Sequence, residues 1–245
     1  PPMHETIELT ASDGHRFALY QVLPSGAAKG SVLVIQEIFG VNAHIRELCH
    51  RYATAGYRAA APALYDRVQR GVELNYDAAG IEAGRAIVAQ IPQQKTLDDL
   101  ATAVAALRST GRVGVVGYCY GGAMAWLAAC KIDGVAAASC YYGGLIHQYR
   151  QLQPHCPVQL HFGELDAMIP LTKVDEIAAA HPELPVYRYP ADHGFGCDHR
   201  ASYHAPSAEL AEQRTLQLFA EALVQGTWSR SPWRTHCPQT QDGDA

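Results

Sequence analysis

Short apolar segments of strand length alternate with longer stretches of helical periodicity along most of the chain. The apolar segments predict strands at residues 6–10, 17–23, 31–36, 57–61, 112–116, 135–141, 158–162 and 186–189. The helical pattern predicts helices at residues 44–55, 77–90, 95–109, 170–180 and 206–224, and one that begins near residue 123. Because strands that alternate with helices form a parallel sheet covered on both sides, the pattern predicts an α/β fold with a mostly parallel central sheet and helices on both faces.

The first two predicted strands form a hairpin, because the Asp13-Gly14 pair between them is a favoured two-residue turn. No internal repeat and no linker divides the chain, so we expect residues 1–226 to form a single domain. Residues 227–245 are polar and contain proline, and we expect them to form an extended or disordered C-terminal tail.

Composition restricts the possible partners. Of the 245 residues, 48% are hydrophobic, which is enough for a large core. The net charge of -5 provides no attraction for nucleic acid or for an anionic membrane. The apolar stretches are too short to span a bilayer and the N-terminus has no signal-peptide pattern, so a cytoplasmic protein is expected. Seven irregularly spaced cysteines argue against a disulfide framework.

A candidate nucleophile lies in the sequence Gly-Tyr-Cys-Tyr-Gly-Gly at residues 117–122, between a predicted strand and a predicted helix. This is the form of a nucleophile elbow, in which flanking glycines allow a very tight turn, with Cys119 in place of the usual serine. The start of the helix favours a thiolate there. The alternative interpretation is a tight glycine-rich turn in which Cys119 is only a small buried side chain.

Two further candidates follow later strands of the sheet. Asp166 comes after the 158–162 strand and His193 after the 186–189 strand, and functional groups collect at the carboxyl ends of parallel strands. The order Cys119, Asp166, His193 is that of nucleophile, acid and base in α/β-hydrolases. The imidazole would take the thiol proton while the carboxylate orients the ring. Glu164 and Asp192 are alternative acids, and a surface-loop histidine is the alternative for His193.

The end of the 31–36 strand supplies another candidate. Glu37 follows a buried strand, where a carboxylate is costly unless it is paired, so it is a candidate partner for the thiol or for an arginine. The alternative is an acid exposed at the edge of the sheet. In this fold the same loop donates one oxyanion-hole N–H and the residue after the nucleophile donates the other, which nominates the backbone amides of Ile38 and Tyr120.

Taken together, these motifs resemble the dienelactone hydrolases from about residue 5 to about residue 223. The resemblance is carried by Gln-Glu-Ile-Phe-Gly-Val-Asn at 36–42, Pro-Ala-Leu-Tyr at 62–65, the 117–122 motif, Asp166 and His-Gly-Phe at 193–195. It implies the α/β-hydrolase fold and a hydrolase that needs no cofactor. The type activity of that family opens a carboxymethylene-butenolide ring, so a small lactone or ester is the implied substrate.

The resemblance also implies roles for individual residues. Cys119 would be the nucleophile, His193 the general base and acid, Asp166 the orienting acid, and Glu37 the partner of the thiol in the resting enzyme. Family members that act on dienelactone are expected to hold its carboxylate with two arginines, one shortly after the catalytic histidine and one on the helix that follows the Pro-x-Leu-Tyr loop. Arginine suits a carboxylate clamp because its donors form a planar fork.

The substrate contacts of this chain depart from that pattern. Glycine and cysteine at 196–197 occupy the first arginine position, and the nearest arginine is Arg200, for which a structural ion pair is expected rather than a clamp. Arg85 is the nearest candidate on the helix. Phe39 and Tyr142 are the aromatic candidates for the border of the substrate site.

Two other functions are alternatives to hydrolysis. The spacing of His193, Cys197, His199 and His204 allows a metal site to be drawn, but no helix or paired knuckle supports it, so neither a metal nor a cofactor is expected. The alternative of another class is a small-molecule-binding or redox-sensing module in which Cys119 is oxidised rather than acylated. The presence of Glu37, Asp166 and His193 argues against a sensor, which needs no ordered base. Monomer and homodimer are both left open.

Overall fold

The computed structural model describes residues 2–224, so the tail expected at 227–245 lies outside the described residues. Eight strands form one sheet in the order β1-β2-β4-β3-β5-β6-β7-β8. The strands are β1 (Met3–Thr10), β2 (Arg16–Leu23), β3 (Ser31–Ile35), β4 (Arg58–Pro62), β5 (Val113–Tyr118), β6 (Val135–Tyr141), β7 (Val158–Gly163) and β8 (Val186–Tyr189). The pairs β1–β2 and β2–β4 are antiparallel and all the others are parallel, which confirms the mostly parallel sheet predicted from the sequence.

Six α-helices cover the sheet: α1 (Ala43–Thr54), α2 (Ala78–Gln90), α3 (Gln93–Leu107), α4 (Tyr120–Lys131), α5 (Leu171–Ala180) and α6 (Ala205–Leu223). Helices α1 and α6 meet through the rings of Tyr52 and Phe219, whose centroids are 6.1 Å apart, and α3 packs against α4. None of these helices combines the length and apolar character needed to cross a bilayer, within residues 2–224.

The central strands explain why the apolar runs in the sequence are continuous. All residues of β3 and β5 are buried, because both faces of these strands are covered. Helix α4 is equally enclosed, with ten consecutive buried residues from Gly121 to Cys130. The strand–helix unit that carries residue 119 is therefore buried along most of its length, and packing on all sides sets its position.

Two local predictions differ from the structure. The β1–β2 connection runs over residues 11–15, longer than the predicted two-residue turn, with the Ala11 amide donating to the His15 carbonyl at 2.7 Å and Gly14 at a φ of 84°. Helix α4 begins at Tyr120 instead of near residue 123. The glycine pair in its first turn has low helix propensity, and tertiary packing overrides that preference.

That glycine pair lets α4 rest directly on the sheet backbone. A Cβ added to Gly121 would lie 2.4 Å from the carbonyl oxygen of Ile35, at the end of β3. A Cβ on Gly122 would lie 2.3 Å from the carbonyl oxygen of Tyr141, at the end of β6. On the strand side of the turn, a Cβ on Gly117 would lie 1.8 Å from the Gly121 carbonyl oxygen. Only glycine allows these approaches.

Gly121→Ala is therefore expected to destabilise the fold by at least about 1–3 kcal/mol, because the added methyl group meets rigid backbone that cannot move aside. Gly26→Ala is the matched control, since nothing lies within 4 Å of a Cβ built there, and it should leave stability unchanged or slightly increased. Urea unfolding followed by circular dichroism measures both variants. Equal urea midpoints for the two variants would show that the close contact between α4 and β3 does not contribute to the free energy of unfolding.

Candidate active site

The backbone of Cys119 has a conformation that few residues with a side chain adopt. Its φ is 59° and its ψ is -119°, which costs on the order of 1–3 kcal/mol for a residue with a Cβ. The Cys119 amide donates to the Tyr141 carbonyl at 3.0 Å, and the Gly122 amide donates to the Cys119 carbonyl at 2.9 Å. The Cys119 side chain is only partly buried, in contrast to the buried Cys49, Cys130, Cys140 and Cys197. The strained turn thus presents the thiol at the surface of the sheet edge.

Three side chains from different strand ends meet at this turn. The Nε2 atom of His193 lies 3.1 Å from the Sγ atom of Cys119. The Nδ1 atom of the same ring lies 2.7 Å from the Oδ2 atom of Asp166. The second carboxylate oxygen of Asp166 accepts a hydrogen bond from the Met168 amide at 2.9 Å, which fixes the plane of the carboxylate. The arrangement has the contacts of a nucleophile–base–acid triad.

The surroundings of His193 favour its charged form. Burial acts to lower the pKa of His193, but its hydrogen bonds to Asp166 and Cys119 together outweigh burial and raise the pKa to about 10. The imidazole is therefore protonated at neutral pH. A protonated ring 3.1 Å from the sulfur stabilises negative charge on Cys119.

The two alternative acids lie elsewhere. Glu164 and Asp192 are both exposed, and neither hydrogen-bonds to the ring of His193 in the described part of the chain. The Oδ1 atom of Asp192 accepts a hydrogen bond from the backbone amide of His193 at 2.6 Å. Asp192 therefore shapes the loop in the manner common for turn aspartates, while Asp166 holds the ring.

The two backbone amides nominated from the sequence, those of Ile38 and Tyr120, are free to donate within the described residues. Tyr120 is the first residue of α4, where a helical N–H has no partner within the helix. Neither its amide nor that of Ile38 donates a hydrogen bond to any residue among 2–224. The loop around Ile38 is held by the Tyr65 hydroxyl, which donates to the Ile38 carbonyl at 2.7 Å, and by Gln36 Nε2, which donates to the Glu37 carbonyl at 3.1 Å. A fixed loop with a free N–H is what an oxyanion hole requires.

Glu37 is fully buried at the same sheet edge. Its Oε1 atom accepts a hydrogen bond from the Tyr76 hydroxyl at 2.6 Å, and its Oε2 atom lies 3.5 Å from Nη1 of Arg200. Burial raises the pKa of Glu37, although the hydrogen bond from Tyr76 and the charge of Arg200 act against that rise. Cys119 is not a hydrogen-bond partner of Glu37 within the described residues. Of the two partners left open by the sequence, this conformation pairs Glu37 with an arginine.

Arg200 is enclosed by two aromatic rings. Its Cζ atom lies 5.5 Å from the ring centroids of both Phe39 and Tyr76, and its side chain is 17% exposed. Phe39 itself is buried, with its ring 4.5 Å from that of Tyr76. The rings and the Glu37 carboxylate together hold the guanidinium, as expected for a structural ion pair strengthened by cation–π contacts.

The other two substrate-contact candidates lie in different surroundings. Tyr142 is completely buried, and its ring centroid is 5.1 Å from that of His193 and 5.2 Å from that of Phe195. It therefore packs against the ring of His193 from inside the fold. Arg85 is exposed on α2, next to Gly84, whose position lies against the Ile38 carbonyl.

Tyr76 is a site residue that the sequence analysis missed. In addition to its bond to Glu37, its hydroxyl accepts a hydrogen bond from Asn42 Nδ2 at 2.9 Å. It also lines an open cleft of about 360 Å³ together with Asp166, Met168, His193 and Arg200. The only sequence signal near it is Asp77, the N-cap of α2, which marks a helix start and carries no information about the site.

The sequence spacing allows a metal site made of His193, Cys197, His199 and His204. The structure disperses these four residues. His193 is engaged with Cys119 and Asp166, and the Nδ1 atom of His204 is 2.6 Å from the Ser207 hydroxyl at the start of α6. Cys197 is buried, while His199 is exposed and faces α1. The four side chains form no common cluster within the described residues.

The chain is similar to proteins of one known family. The sequence profile of the dienelactone hydrolase family matches residues 17–223. A carboxymethylenebutenolidase from Pseudomonas putida is 34% identical over 227 residues, which covers 88% of this chain and 96% of that protein. A Synechocystis protein provisionally named carboxymethylenebutenolidase is 38% identical over 212 residues, covering 78% and 86%.

A solved structure gives the same result for the fold. A crystal structure from Klebsiella pneumoniae, provisionally assigned as a dienelactone hydrolase, matches with a TM-score of 0.80 at 31% identity and covers 90% of this chain and 99% of that one. Sequence and structure therefore both show that the chain has the α/β-hydrolase fold and belongs to the dienelactone hydrolase family.

Proposed function

We propose that this protein hydrolyses small lactones or carboxylic esters with Cys119 as the nucleophile, through an acyl-thioester intermediate. The observation that carries the proposal is the continuous line of contacts from Cys119 Sγ to His193 Nε2 at 3.1 Å and from His193 Nδ1 to Asp166 at 2.7 Å. Such a line transfers a proton between the sulfur and the imidazole without any movement of the backbone.

The first chemical step is acylation. The proton shared by Cys119 Sγ and His193 Nε2 lies on the ring when the sulfur attacks the carbonyl carbon of the substrate. The carbonyl oxygen becomes an oxyanion, which the amides of Ile38 and Tyr120 stabilise. When the tetrahedral intermediate collapses, the carbon–oxygen bond to the leaving group breaks, and His193 Nε2 donates its proton to the departing alkoxide. The thioester remains on Cys119.

The second step is deacylation. His193 is now neutral and removes a proton from water, which attacks the thioester carbonyl. The carbon–sulfur bond breaks, the carboxylic acid product leaves, and the thiolate and the protonated ring are restored. Asp166 holds the ring in one orientation throughout and stabilises its positive charge.

The identity of the nucleophile supports a small, reactive ester. A thiolate is a weaker base than the amide anion of a peptide, so collapse of a peptide adduct would favour loss of the thiolate. Loss of the alkoxide is easier from a lactone or an activated ester.

We propose separate roles for Glu37 and Arg200. In this conformation Arg200 lies 3.5 Å from the buried carboxyl group of Glu37, and this contact joins the loop of Ile38 to the loop that follows His193. Pairing of Glu37 with the thiol in the resting enzyme, which the family resemblance implies, would require the Cys119 side chain to rotate away from His193.

The ordered acid and base support hydrolysis over redox sensing. A cysteine that is only oxidised gains nothing from a carboxylate that orients the neighbouring imidazole. Cys119 lies at hydrogen-bond distance from the His193 ring, and Asp166 holds that ring.

Replacement of the nucleophile tests the proposal directly. Cys119→Ala should lower kcat/KM for hydrolysis of p-nitrophenyl acetate by about a thousandfold or more, because the proposed acyl intermediate cannot form without the thiol. Cys156→Ala, at another partly buried cysteine, should retain full activity. Both variants should keep the wild-type unfolding midpoint. A folded Cys119→Ala protein with undiminished turnover would exclude the mechanism.

The titration of His193 is a second expected result. Its ring should stay protonated in the resting enzyme up to a pH of about 10, and Asp166→Asn should bring the pKa down because the carboxylate hydrogen bond that favours the charged form is lost. NMR of ¹⁵N-labelled histidine measures both values. A neutral His193 ring at pH 8 in the wild type would contradict the proposed thiolate–imidazolium pair.

The same shift has a consequence for stability. The pKa of His193 in the folded protein, about 10, lies above the value of about 6.5 in an unfolded chain, so folding binds a proton more tightly. The stabilisation is fully present below about pH 6.5 and is lost as the pH rises through about 10. In urea unfolding, the stability difference between wild type and His193→Gln should therefore become smaller over this range, and a constant difference would argue against the shift.

A further inference from the structure

A group of potential metal ligands lies where α1 meets the loop that follows His193. His44 and Glu47 project from α1, and Asp198 and His199 from the loop, with one ligand atom of each lying within 4.8 Å of all the others. Residues 44 and 47 share one face of the helix because they are three positions apart. The loop residues are consecutive, so two short segments supply two imidazoles and two carboxylates.

The distances in this group suit a small transition-metal ion. The Oδ1 atom of Asp198 lies 3.6 Å from both His44 Nδ1 and His199 Nε2. The Nε2 atom of His199 lies 2.8 Å from Glu47 Oε2. Ligand atoms that bind a tetrahedral zinc ion at 2.0–2.2 Å are separated from one another by about 3.4 Å. Small side-chain adjustments are therefore enough to close the group around an ion.

His44 provides an independent indication of a missing partner. Its side chain is only 3% exposed, yet its ring makes no hydrogen bond to any residue between 2 and 224. The Nδ1 atom of His44 faces Asp198 Oδ1, but their 3.6 Å separation is too long for a hydrogen bond. Buried imidazoles are normally satisfied, so an Nδ1 atom that faces a carboxylate without bonding to it indicates a ligand at that position.

We propose that His44, Glu47, Asp198 and His199 bind one divalent transition-metal ion, with Zn²⁺ as the ion that suits two imidazoles and two carboxylates. The site is separate from the triad, and the proposed hydrolysis needs no metal. Binding would attach α1 to the loop that carries both His193 and Arg200. An ion that binds the folded chain alone also stabilises it, in proportion to the logarithm of its concentration above Kd.

A second group of potential ligands shares the same histidine. Glu37, His44 and Cys197 also place ligand atoms within 4.8 Å of one another, but all three are buried and Glu37 is already engaged by Tyr76. Glu37 is therefore not a ligand of the proposed site. The two groups differ in chemistry, because only the buried one contains sulfur.

The test uses the full chain with Cys119→Ala, which removes the thiolate–imidazole pair as a competing soft-metal site. Zn²⁺ added in competition with a chromophoric chelator should bind at one ion per chain. His199→Ala and Glu47→Gln, at exposed positions where the fold is tolerant, should each weaken binding by at least about tenfold. His155→Ala, at an exposed histidine near the end of α4, is the matched control and should bind as tightly as its parent.

Cobalt distinguishes the two groups. Co²⁺ in the proposed site should give visible d–d absorption of a tetrahedral or five-coordinate ion without a near-ultraviolet thiolate-to-cobalt band. A thiolate band would place the ion at Cys197 and overturn the assignment. Absence of stoichiometric binding, or binding unchanged in both His199→Ala and Glu47→Gln, would overturn it as well.

Discussion

The turn at Cys119 is held by contacts between backbones. Helix α4 reaches the ends of β3 and β6 through two glycines, so its first turn lies against carbonyl groups that cannot rotate away. The strained φ of 59° at Cys119 is imposed by this packing, with the Tyr141 and Gly122 hydrogen bonds closing the turn on both sides. The sheet backbone therefore sets the position of the Cys119 sulfur. Asp166 after β7 and His193 after β8 can line up with it without rearrangement of their loops.

Two buried charge systems share this edge of the sheet. In one, Asp166 and the sulfur stabilise the positive ring of His193. In the other, Tyr76 and Arg200 oppose the rise that burial causes in the pKa of Glu37. The positive charge of His193 also acts to lower the pKa of Glu37, so the two systems support each other. Glu37 lies directly before Ile38, which connects the second charge system to the loop that supplies an oxyanion donor.

The fold could be predicted because its determinants are local. Continuous apolar runs marked the strands covered on both faces, and the strand-end rule selected residues 119, 166 and 193, which lie in one contact line in the structure. The start of α4 was placed late because glycine has a low helix propensity, whereas packing requires it there. The hairpin loop was predicted too short because the Asp-Gly signal identifies a turn and not its length.

Other features depend on contacts between distant segments. Tyr76 has no motif around it, and its role follows only from its bond to Glu37. His44 and His199 are separated by most of the chain, so the group they form with Glu47 and Asp198 leaves no spacing pattern. The sequence does not decide whether Glu37 pairs with the thiol or with an arginine, because that choice depends on side-chain rotation. In this conformation Arg200 is the residue that lies beside Glu37.

The most direct test of the central claim is mass spectrometry of the enzyme quenched during turnover of a small activated ester. We expect one acyl group on the peptide that contains Cys119, which should appear within the first turnover and disappear as the acid product is released. Product formation with no acyl group on Cys119 at any time would contradict it. Oxidation of Cys119 by peroxide in a protein that no ester acylates would contradict it equally and would favour a redox module.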